Sequence, residues 1–428
     1  MKNIIYPKKE TWFEILKRPT QTVKEIETTV NQVFEDVQKN GDTAIKKYTK
    51  KFDKVAVTTL KVTQEEISIA VEAVSSELKK AIQQAAANIE KFHRAQKTEK
   101  IYQETTPGVV CWQEKRPIEK VGLYIPGGTA PLLSTVLMLA IPAKIAGCQE
   151  IILCSPPNFE GKIANEILYT ANLCGVTNIF KVGGIQAISG LTFGTTTIPK
   201  VYKIFGPGNQ FVTVAKQLAT KYGVAIDMPA GPSELLIMAD DSANASFVAS
   251  DLLSQAEHGA DSQVILVSTS EKLIEDVSKE VAKQLKELPR IEIATKAIQN
   301  SKSILVKNLK EALALINEYA PEHFIVCTNN NDFFIDGILN AGSVFIGNYT
   351  PESAGDYASG TNHTLPTNGY SKSYSGVNLD SFTKSITFQE ISKKGIQNIG
   401  KSIELMALAE GLQAHKNAVS IRLKEINS

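Results

Sequence analysis

The sequence is poor in cysteine and carries almost no net charge. Its five cysteines are an odd number, lie scattered between Cys111 and Cys327, and include no Cys-x-x-Cys pair. Secreted disulfide scaffolds are dense in paired cysteines, so we expect reduced thiols and a cytoplasmic location. The 46 basic and 45 acidic residues leave a formal charge of +1. This balance gives no electrostatic reason to expect nucleic acid or an anionic membrane as a partner.

Long apolar runs are also missing. The N-terminus reaches Tyr6, Pro7 and two lysines after only two isoleucines, so we expect no export signal. The most apolar stretch, 132–146, is interrupted by Pro142 and Lys144 and is shorter than the ~20 residues that a membrane-spanning helix needs. With 428 residues, 43% of them apolar, the chain is long enough for two to four domains of about 150 residues. A small-molecule enzyme fits this composition best.

The residue pattern predicts helices at both ends and an alternating β/α region between them. Apolar residues recur at spacings of three and four in 23–50, broken by Gly41, and again in 64–94. From Lys120 onward, short β-branched runs end in Gly or Pro and lead into amphipathic segments, which is typical of doubly wound sheets. The chain turns helical again after Lys384. The predicted strands are 121–124, 150–154, 178–182 and 201–205 in a first series and 235–238, 263–267, 303–306 and 324–328 in a second.

Two motifs combine histidine with a polar neighbour. Gln255 and His258 are three apart near the end of a predicted helix, with Gly259 as its C-cap, so they project from one side and could share a metal ion. Glu322 and His323 follow Pro321, which favours a boundary between a helix and a strand. In a desolvated pocket Glu322 could activate water and His323 could take a proton from an alcohol. For both motifs a purely structural role stays open.

Two further segments carry candidate ligands. Residues 353–367 form a polar, glycine-rich stretch that contains Asp356 and His363, and long loops of this composition are usually functional. His415 lies on an apolar stripe of a predicted terminal helix, 403–426, where a hydrogen-bonded core histidine is the alternative to a metal ligand.

A nucleotide crevice is indicated by two glycine-rich turns. No Gly-x-Gly-x-x-Gly follows a predicted strand, so the standard dinucleotide fingerprint is missing. Gly206–Asn209 and Gly183–Gln186 each lie between a strand and a helix, where exposed N–H groups could hold phosphate.

Taken together, the motifs closely resemble the histidinol dehydrogenase family over nearly the whole chain. They follow one another in the expected order and are long enough to be specific. The motifs are VGLYIPGG (121–128), FGPGN (205–209), DMPAGPSE (227–234), LLSQAEHGADSQ (252–263), APEH (320–323), PESAGDYASGTNHTLPT (351–367) and EGLQAHKNAVSIR (410–422).

The resemblance implies an NAD-dependent, zinc-requiring, four-electron oxidation of L-histidinol to L-histidine through bound L-histidinaldehyde. It implies one zinc ion per subunit, held by Gln255, His258, Asp356 and His415, and two NAD+ consumed per histidinol. Glu322 and His323 would be the catalytic acid and base. The implied substrate contacts are Ser233, Gln255, His258, His323, Asp356, His363, Glu410 and His415, and the implied nucleotide contacts are Tyr124, Gln186 and Asn209.

The resemblance also implies an architecture of two incomplete, doubly wound, Rossmann-like domains with small helical segments at both termini. We expect residues 1–25 to be a helical tail, 26–128 and 236–380 to form a first, discontinuous α/β domain with most of the site residues, and 129–235 to form a second domain on the nucleotide side. Residues 381–428 would contribute to a homodimer, in which His415 ligates zinc in its own or the partner subunit.

Two other functions remain open at the level of sequence. A zinc hydrolase could use the same four ligands around a metal-bound water with Glu322 as base. A structural zinc protein could use the metal to fix its terminal helix.

Overall fold

The structure is a computed structural model that describes residues 1–19, 23–127, 131–229 and 231–428. Gly128 of the VGLYIPGG motif and Ala230 of the DMPAGPSE motif lie outside the described residues. The strands are β1 (Lys2–Ile5), β2 (Ile101–Thr106), β3 (Val109–Pro117), β4 (Lys120–Tyr124), β5 (Glu150–Ser155), β6 (Asn178–Lys181), β7 (Lys203–Phe205), β8 (Ala225–Ile226), β9 (Glu234–Ala239), β10 (Gln263–Ser268), β11 (Lys302–Leu305), β12 (His323–Cys327), β13 (Ser343–Ile346) and β14 (Thr383–Ile391).

The helices connect these strands or flank them at the chain ends. They are α1 (Trp12–Ile15), α2 (Val23–Tyr48), α3 (Gln64–Ala73), α4 (Ser76–Ala95), α5 (Leu133–Ala146), α6 (Asn165–Leu173), α7 (Gly184–Phe193), α8 (Gln210–Lys221), α9 (Ala245–Ala256), α10 (Glu271–Gln284), α11 (Ile291–Gln299), α12 (Leu309–Tyr319), α13 (Asn331–Gly337), α14 (Glu352–Tyr357), α15 (Lys393–Ala409) and α16 (Gln413–Ile426). The chain divides into two units, one formed by 1–96 and 118–381 and the other by 97–117 and 382–428.

The larger unit contains a six-stranded parallel sheet in the order β1-β11-β10-β9-β12-β13. Every residue of β9, β10 and β12 is buried, because helices cover both faces of these strands. Leu235 and Ile237 pack against α9 and α10, while Leu236 and Met238 pack against α12. Doubly wound α/β architecture with parallel sheets is therefore confirmed.

Strand β1 corrects the expected helical tail. Lys2–Ile5 pairs in parallel with β11, in the register Lys2↔Lys302, and so extends the edge of the six-stranded sheet. A 3₁₀ turn, Lys9–Thr11, and the short helix α1 follow before residue 20. The local pattern of β1 is too short to distinguish a strand from a helix, and the pairing with β11 decides the outcome.

The same unit contains a five-stranded parallel sheet in the order β6-β5-β4-β7-β8. Strand β4 pairs with both β5 and β7, and α2 packs on α7 and α8. The division expected from the sequence grouped 26–128 with 236–380, whereas these pairings join β4 and α2 to strands and helices of 150–226. The other domain boundaries stay a prediction.

The smaller unit combines a three-stranded antiparallel sheet, β14-β3-β2, with the helix pair α15 and α16. The expected single helix over 403–426 is wrong. Gly411 has a φ of +73°, and the N–H of Leu412 donates to the Ala407 carbonyl at 2.8 Å, which ends α15. His415 therefore lies on α16, whereas Leu405 and Leu408 of the predicted stripe lie on α15 and are exposed.

Crossing a bilayer requires a long, apolar helix, and none is present in the part of the chain that the structure describes.

A buried ion pair fixes the turn after β7. Lys216 of α8 contacts the carboxylate of Asp227, and both side chains are 1% exposed. The Lys216 ammonium also donates to the Gly206 carbonyl at 2.8 Å, and the Gly206 N–H donates to Asp227 at 2.8 Å. A Cβ at Gly206, whose φ is +131°, would lie 2.1 Å from the Tyr124 carbonyl oxygen. The ion pair therefore holds this turn, and the close approach to Tyr124 requires glycine at position 206.

We predict that Lys216→Met lowers the free energy of unfolding by about 3 kcal/mol, because it leaves the buried Asp227 carboxylate without its cation. Equilibrium denaturation measures this loss, and adding Asp227→Asn should restore part of it. Lys47→Met is the matched control, since Lys47 pairs with Asp36 at the surface and exposed pairs contribute little. A loss for Lys216→Met no larger than the control's would contradict the account.

Candidate active site

The candidate site lies at the amino ends of two adjacent parallel strands. Glu234 begins β9 and His323 begins β12, with His323 opposite Leu235. Helix α12 ends at Tyr319, and Ala320 has a φ of +55°. The next carbonyl, of Pro321, accepts the Gly342 N–H at 2.9 Å. This boundary directs Glu322 and His323 into the protein, where they are 6% and 4% exposed.

His323 is held in one orientation by a backbone carbonyl. Its Nδ1 lies 3.1 Å from the Glu234 carbonyl oxygen, and because a carbonyl can only accept, Nδ1 carries the hydrogen of this bond. A neutral ring then presents Nε2 as an acceptor. Within the described residues, Nε2 is buried and has no hydrogen-bond partner, and Oδ1 of Asp356 lies 3.6 Å away. The ring can therefore accept a proton from a bound molecule through Nε2.

Three carboxyl groups surround this ring. Oε2 of Glu322 and Oε1 of Glu352 each lie 3.7 Å from Nδ1 of His323, and Asp356 faces Nε2. Burial alone would lower the pKa of His323, but the carboxylates of Glu352, Glu322 and Asp356 raise it well above its usual value. Burial raises the pKa of Glu352 well above the usual value for a glutamate. A cation bound here would favour the ionised forms of these carboxyl groups.

Glu322 is a carboxyl group next to His323 whose pKa lies near the physiological range. Burial raises its pKa to about 8, although His323 and a hydrogen bond from the Glu234 N–H, 2.7 Å from Oε2, act in the opposite direction. An acid that titrates near neutral pH can both give and take a proton during a reaction.

The SQAEH motif places Gln255 in the same cluster. Gln255 is fully buried at the end of α9, where its amide nitrogen donates to the Glu352 carboxylate and its carbonyl oxygen accepts from the Glu234 N–H at 3.2 Å. The expected C-cap at Gly259 is wrong, because α9 ends at Ala256 with Glu257 as its cap. His258 consequently lies beyond the helix, where it is exposed and interacts electrostatically with Asp356.

The PESAGD segment is partly helical rather than a continuous loop. Helix α14 carries Glu352 and Asp356 one turn apart. Nδ1 of His363 lies 2.9 Å from the Asp356 carbonyl oxygen, and its Nε2 lies 3.0 Å from the hydroxyl of Thr135 on α5. His363 thereby links the Asp356 segment to the helix that follows β4.

The larger unit brings together most of the residues expected from the sequence. Gln255, His258, Glu322, His323, Asp356 and His363 belong to this one cluster, and Ser233 directly precedes Glu234. Glu410 and His415 belong to the smaller unit and are exposed, so their roles stay predictions.

Sequence reasoning missed two acidic residues of the cluster. Glu352 was detectable, because it precedes Asp356 by four positions and so lies on the same face of a short helix. His323, Glu352 and Asp356 each offer one ligand atom within 4.8 Å of the others, and this set shares only Asp356 with the expected zinc ligands. Glu234 carried no such signal.

Glu234 is fixed by an arginine from the N-terminal segment. Arg18 donates from both Nε and Nη2 to the Glu234 carboxylate, with Nη2 2.8 Å from Oε2. The same Nη2 lies 2.7 Å from the Tyr319 carbonyl oxygen, and the Asn368 N–H donates to Glu234 at 2.6 Å. These bonds offset the desolvation of the buried Glu234 carboxylate. They also hold the backbone that orients His323.

A separate cleft of about 750 Å³ lies at the carboxyl ends of the five-stranded sheet. Tyr124 at the end of β4 and Asn209 at the start of α8 both line it, and their contact with a nucleotide stays a prediction. The Tyr124 hydroxyl accepts from the Gly184 N–H at 3.2 Å. Gln186 is buried beside the cleft, and its Nε2 donates to Asp53 at 3.0 Å. Ligands of parallel sheets commonly bind at this edge.

Comparison with known proteins points to one family. The family model described as histidinol dehydrogenase matches residues 16–423. A histidinol dehydrogenase of Bacteroides thetaiotaomicron is 59% identical over 426 residues, which is 100% of both chains, and one of Escherichia coli K12 is 53% identical, with 96% of this chain and 95% of that protein covered. The crystal structure of histidinol dehydrogenase from Elizabethkingia anophelis superposes with a TM-score of 0.98 at 58% identity, covering 100% of this chain and 99% of that one.

We predict that the chelator-treated protein loses stability as the pH rises from 4.5 toward 8. Glu322 binds its proton more tightly in the folded protein, where its pKa is about 8, than in the unfolded chain, where it is near 4.5. Stability linked to this proton is complete below pH 4.5 and decreases by about 1.4 kcal/mol per pH unit within that window.

Glu322→Gln should flatten this decrease, measured as the unfolding free energy against pH. Glu292→Gln, at an exposed position of α11, is the control and should leave the slope unchanged. Equal slopes for Glu322→Gln and the unsubstituted protein would show that Glu322 does not retain its proton in the fold.

Proposed function

The chain belongs to the histidinol dehydrogenase family, and from that premise we propose that it oxidises L-histidinol to L-histidine in the last two steps of histidine biosynthesis. The hydride acceptor in this proposal is NAD+, of which two are consumed per histidinol. The observation that carries the proposal is the buried His323 ring, with Nδ1 donating to the Glu234 carbonyl and Nε2 without a partner.

In the first oxidation, Nε2 of His323 takes the proton of the substrate hydroxyl while the carbinol carbon loses a hydride to the nicotinamide. The C–H bond breaks, the carbonyl forms, and the product is the aldehyde. The hydrogen bond from Nδ1 to the Glu234 carbonyl stabilises the imidazolium that results. Because the site is buried, the aldehyde is retained until the second oxidation.

In the second oxidation, Glu322 takes a proton from water as the water oxygen adds to the aldehyde carbon. The His323 imidazolium returns its proton to the carbonyl oxygen in this addition, so the hydrate carries two hydroxyls on one carbon and Nε2 is an acceptor again. Loss of a second hydride to a second NAD+ and of a hydroxyl proton to His323 then gives the carboxylic acid, which ionises to the carboxylate of histidine. A pKa of about 8 suits Glu322 to this exchange near neutral pH. Glu322 and His323 can act on different protons because Glu322 lies on the Nδ1 side of the His323 ring and leaves Nε2 free.

We propose a single zinc ion, with Gln255, His258 and Asp356 as ligands and His415 completing the set. The residues fit a divalent cation, because three carboxyl groups crowd one imidazole and the pKa of Asp356 is lowered by its histidine neighbours despite burial. When bound, zinc would anchor the imidazole and amino nitrogens of the substrate and offset the carboxylates that hold His323 protonated. Glu352 would orient Gln255 by accepting from its amide nitrogen, and the carbonyl oxygen, which accepts from the Glu234 N–H, has a second lone pair for the metal.

Ser233, His363, Glu410 and His415 complete the proposed substrate contacts, and Tyr124, Gln186 and Asn209 the nucleotide contacts. We further propose a homodimer in which α16 brings His415 to the metal of its own or the partner subunit, and a cytoplasmic location. The zinc hydrolase and the structural zinc protein have no support from the comparisons, in which the family model and the relatives named above are described as histidinol dehydrogenases.

The test of this function is the yield of NADH from purified protein supplied with zinc, limiting L-histidinol and excess NAD+. We predict two NADH per histidinol consumed, with histidine as the product, because both hydrides leave the same carbon. Absorbance gives the NADH and chromatography gives the histidine. Substrate consumption without NADH would contradict the dehydrogenase function and favour hydrolysis.

Two variants separate the proposed roles in the same assay. Glu322→Gln should lower the NADH yield of a single turnover from two toward one, because hydration of the aldehyde fails after the first oxidation. His323→Asn should slow both hydride transfers, by about 100-fold or more. A Glu322→Gln variant that still gives two NADH at the normal rate would show that another group activates water.

A further inference from the structure

The nucleotide cleft has one charged lining residue. Its walls are the ends of β4 and β5, the starts of α7 and α8, and the π-helical turn Thr49–Asp53 that follows α2. Among the described residues that line it, the side chains are apolar, aromatic, hydroxyl or amide groups, with the single exception of Asp53. No lysine or arginine is among them. A carboxylate without a neighbouring cation favours hydroxyl donors and disfavours phosphate at this point of the cleft.

The side chain of Asp53 is held by a hydrogen bond from a buried residue beside the cleft. Its Oδ2 accepts from Nε2 of Gln186, at 3.0 Å, and Gln186 is fully buried. The second oxygen of Asp53 has no hydrogen bond to Gln186 and belongs to a partly buried group. Burial raises the pKa of Asp53 to about 6, and the bond from Gln186 acts in the opposite direction. The carboxylate is therefore desolvated and gains from an O–H donor on a ligand.

Asp53 lies at the edge of the sheet where an acidic residue at the end of β5 is missing. In sheets that bind dinucleotides through a glycine-rich turn, the acid that bonds the ribose lies at the end of the strand after that turn. Here the corresponding strand is β5, and residues 155–158 at its end are Ser-Pro-Pro-Asn. The next acid, Glu160, is exposed and faces Lys162. The helical segment before the sheet supplies an acid to the same edge instead.

We propose that Asp53 binds a ribose hydroxyl pair of the dinucleotide and makes this cleft select NAD+ over its 2′-phosphorylated form. This inference rests on the proposed function for its cofactor and goes beyond it in naming the residue that determines specificity. A 2′-phosphate would place two negative charges against Asp53 with no lining cation to offset them. Asp53 is a specificity residue for the cofactor, and it takes no part in the proton transfers proposed for His323.

The experiment compares NAD+ and NADP+ as acceptors for histidinol oxidation in the unsubstituted protein and in Asp53→Asn. Asparagine keeps an oxygen to accept from Gln186 but loses the charge. We expect kcat/KM for NAD+ to decrease about tenfold through KM, with kcat nearly unchanged, as for the loss of a hydrogen bond to a charged group. The NAD+/NADP+ preference should decrease at least tenfold, because repulsion of the 2′-phosphate is removed.

The matched control is Lys54→Met at the neighbouring position. The Lys54 ammonium donates to the Lys51 carbonyl at 2.9 Å and does not line the cleft. Its substitution should leave the NAD+/NADP+ preference unchanged. If Asp53→Asn lowers kcat/KM equally for both acceptors, or leaves both unchanged, the specificity role is overturned, and an equal loss would mean that Asp53 acts only by holding Gln186.

Direct binding separates this inference from the proposed function. Calorimetric titration of the zinc-loaded protein with NAD+ and NADP+ measures the preference without turnover. We expect Asp53→Asn to weaken NAD+ binding about tenfold and to leave NADP+ binding equal or tighter. Absence of histidinol oxidation together with this binding pattern would contradict the proposed function and leave the inference standing, whereas turnover without the pattern would contradict the inference alone.

Discussion

The hydrogen bond from Nδ1 of His323 to the Glu234 carbonyl is the interaction on which the site depends. It joins the first residues of two adjacent parallel strands, so the pairing of β9 with β12 sets both the position and the tautomer of the ring. The backbone N–H of the same Glu234 donates to Glu322. One peptide segment thus orients the groups proposed for both proton transfers. Arg18 holds this segment through the Glu234 side chain, which explains why a basic residue distant in sequence from Glu234 is partly buried here.

Burying several carboxyl groups around His323 costs free energy when no cation is bound. Buried carboxylates are tolerated when they are hydrogen-bonded, paired or bound to metal. Glu234 meets this condition through Arg18, whereas Glu352 and Asp356 face an imidazole and an amide. The electrostatics of the folded chain therefore favour binding of a positive ion next to a base that must become neutral to work. In the proposed function, a bound metal would favour the neutral form of His323 through its charge, without His323 being a ligand.

The sequence predicted local features well and pairing between distant segments poorly. The boundary predicted at Pro321 is present, since α12 ends at Tyr319 and β12 begins at His323, because the effect of the proline on the backbone is local. The order of strands along the chain grouped β4 with 150–154 and 201–205, with which it pairs, whereas the domain division that the resemblance implied placed it with 236–380. Strand β14 was missed, since it pairs with β3 more than 250 residues earlier in the chain. Glu352 was overlooked although its helical spacing to Asp356 was visible in the sequence. Glu234 could not be found in this way, because its backbone carbonyl and N–H make the contacts to His323 and Glu322, and the pattern of side chains does not report backbone contacts.

The most direct measurement is anomalous diffraction at the zinc edge from crystals of the zinc-loaded protein. We predict one ion per subunit, bonded at about 2.0–2.2 Å to Gln255, His258 and Asp356, with His415 of either subunit as the remaining protein ligand. Nε2 of His323 should lie outside the coordination sphere and face the open side of the ion. A bond from zinc to Nε2 of His323, with Glu352 and Asp356 as companions, would contradict the account, because the ring could not then accept the substrate proton.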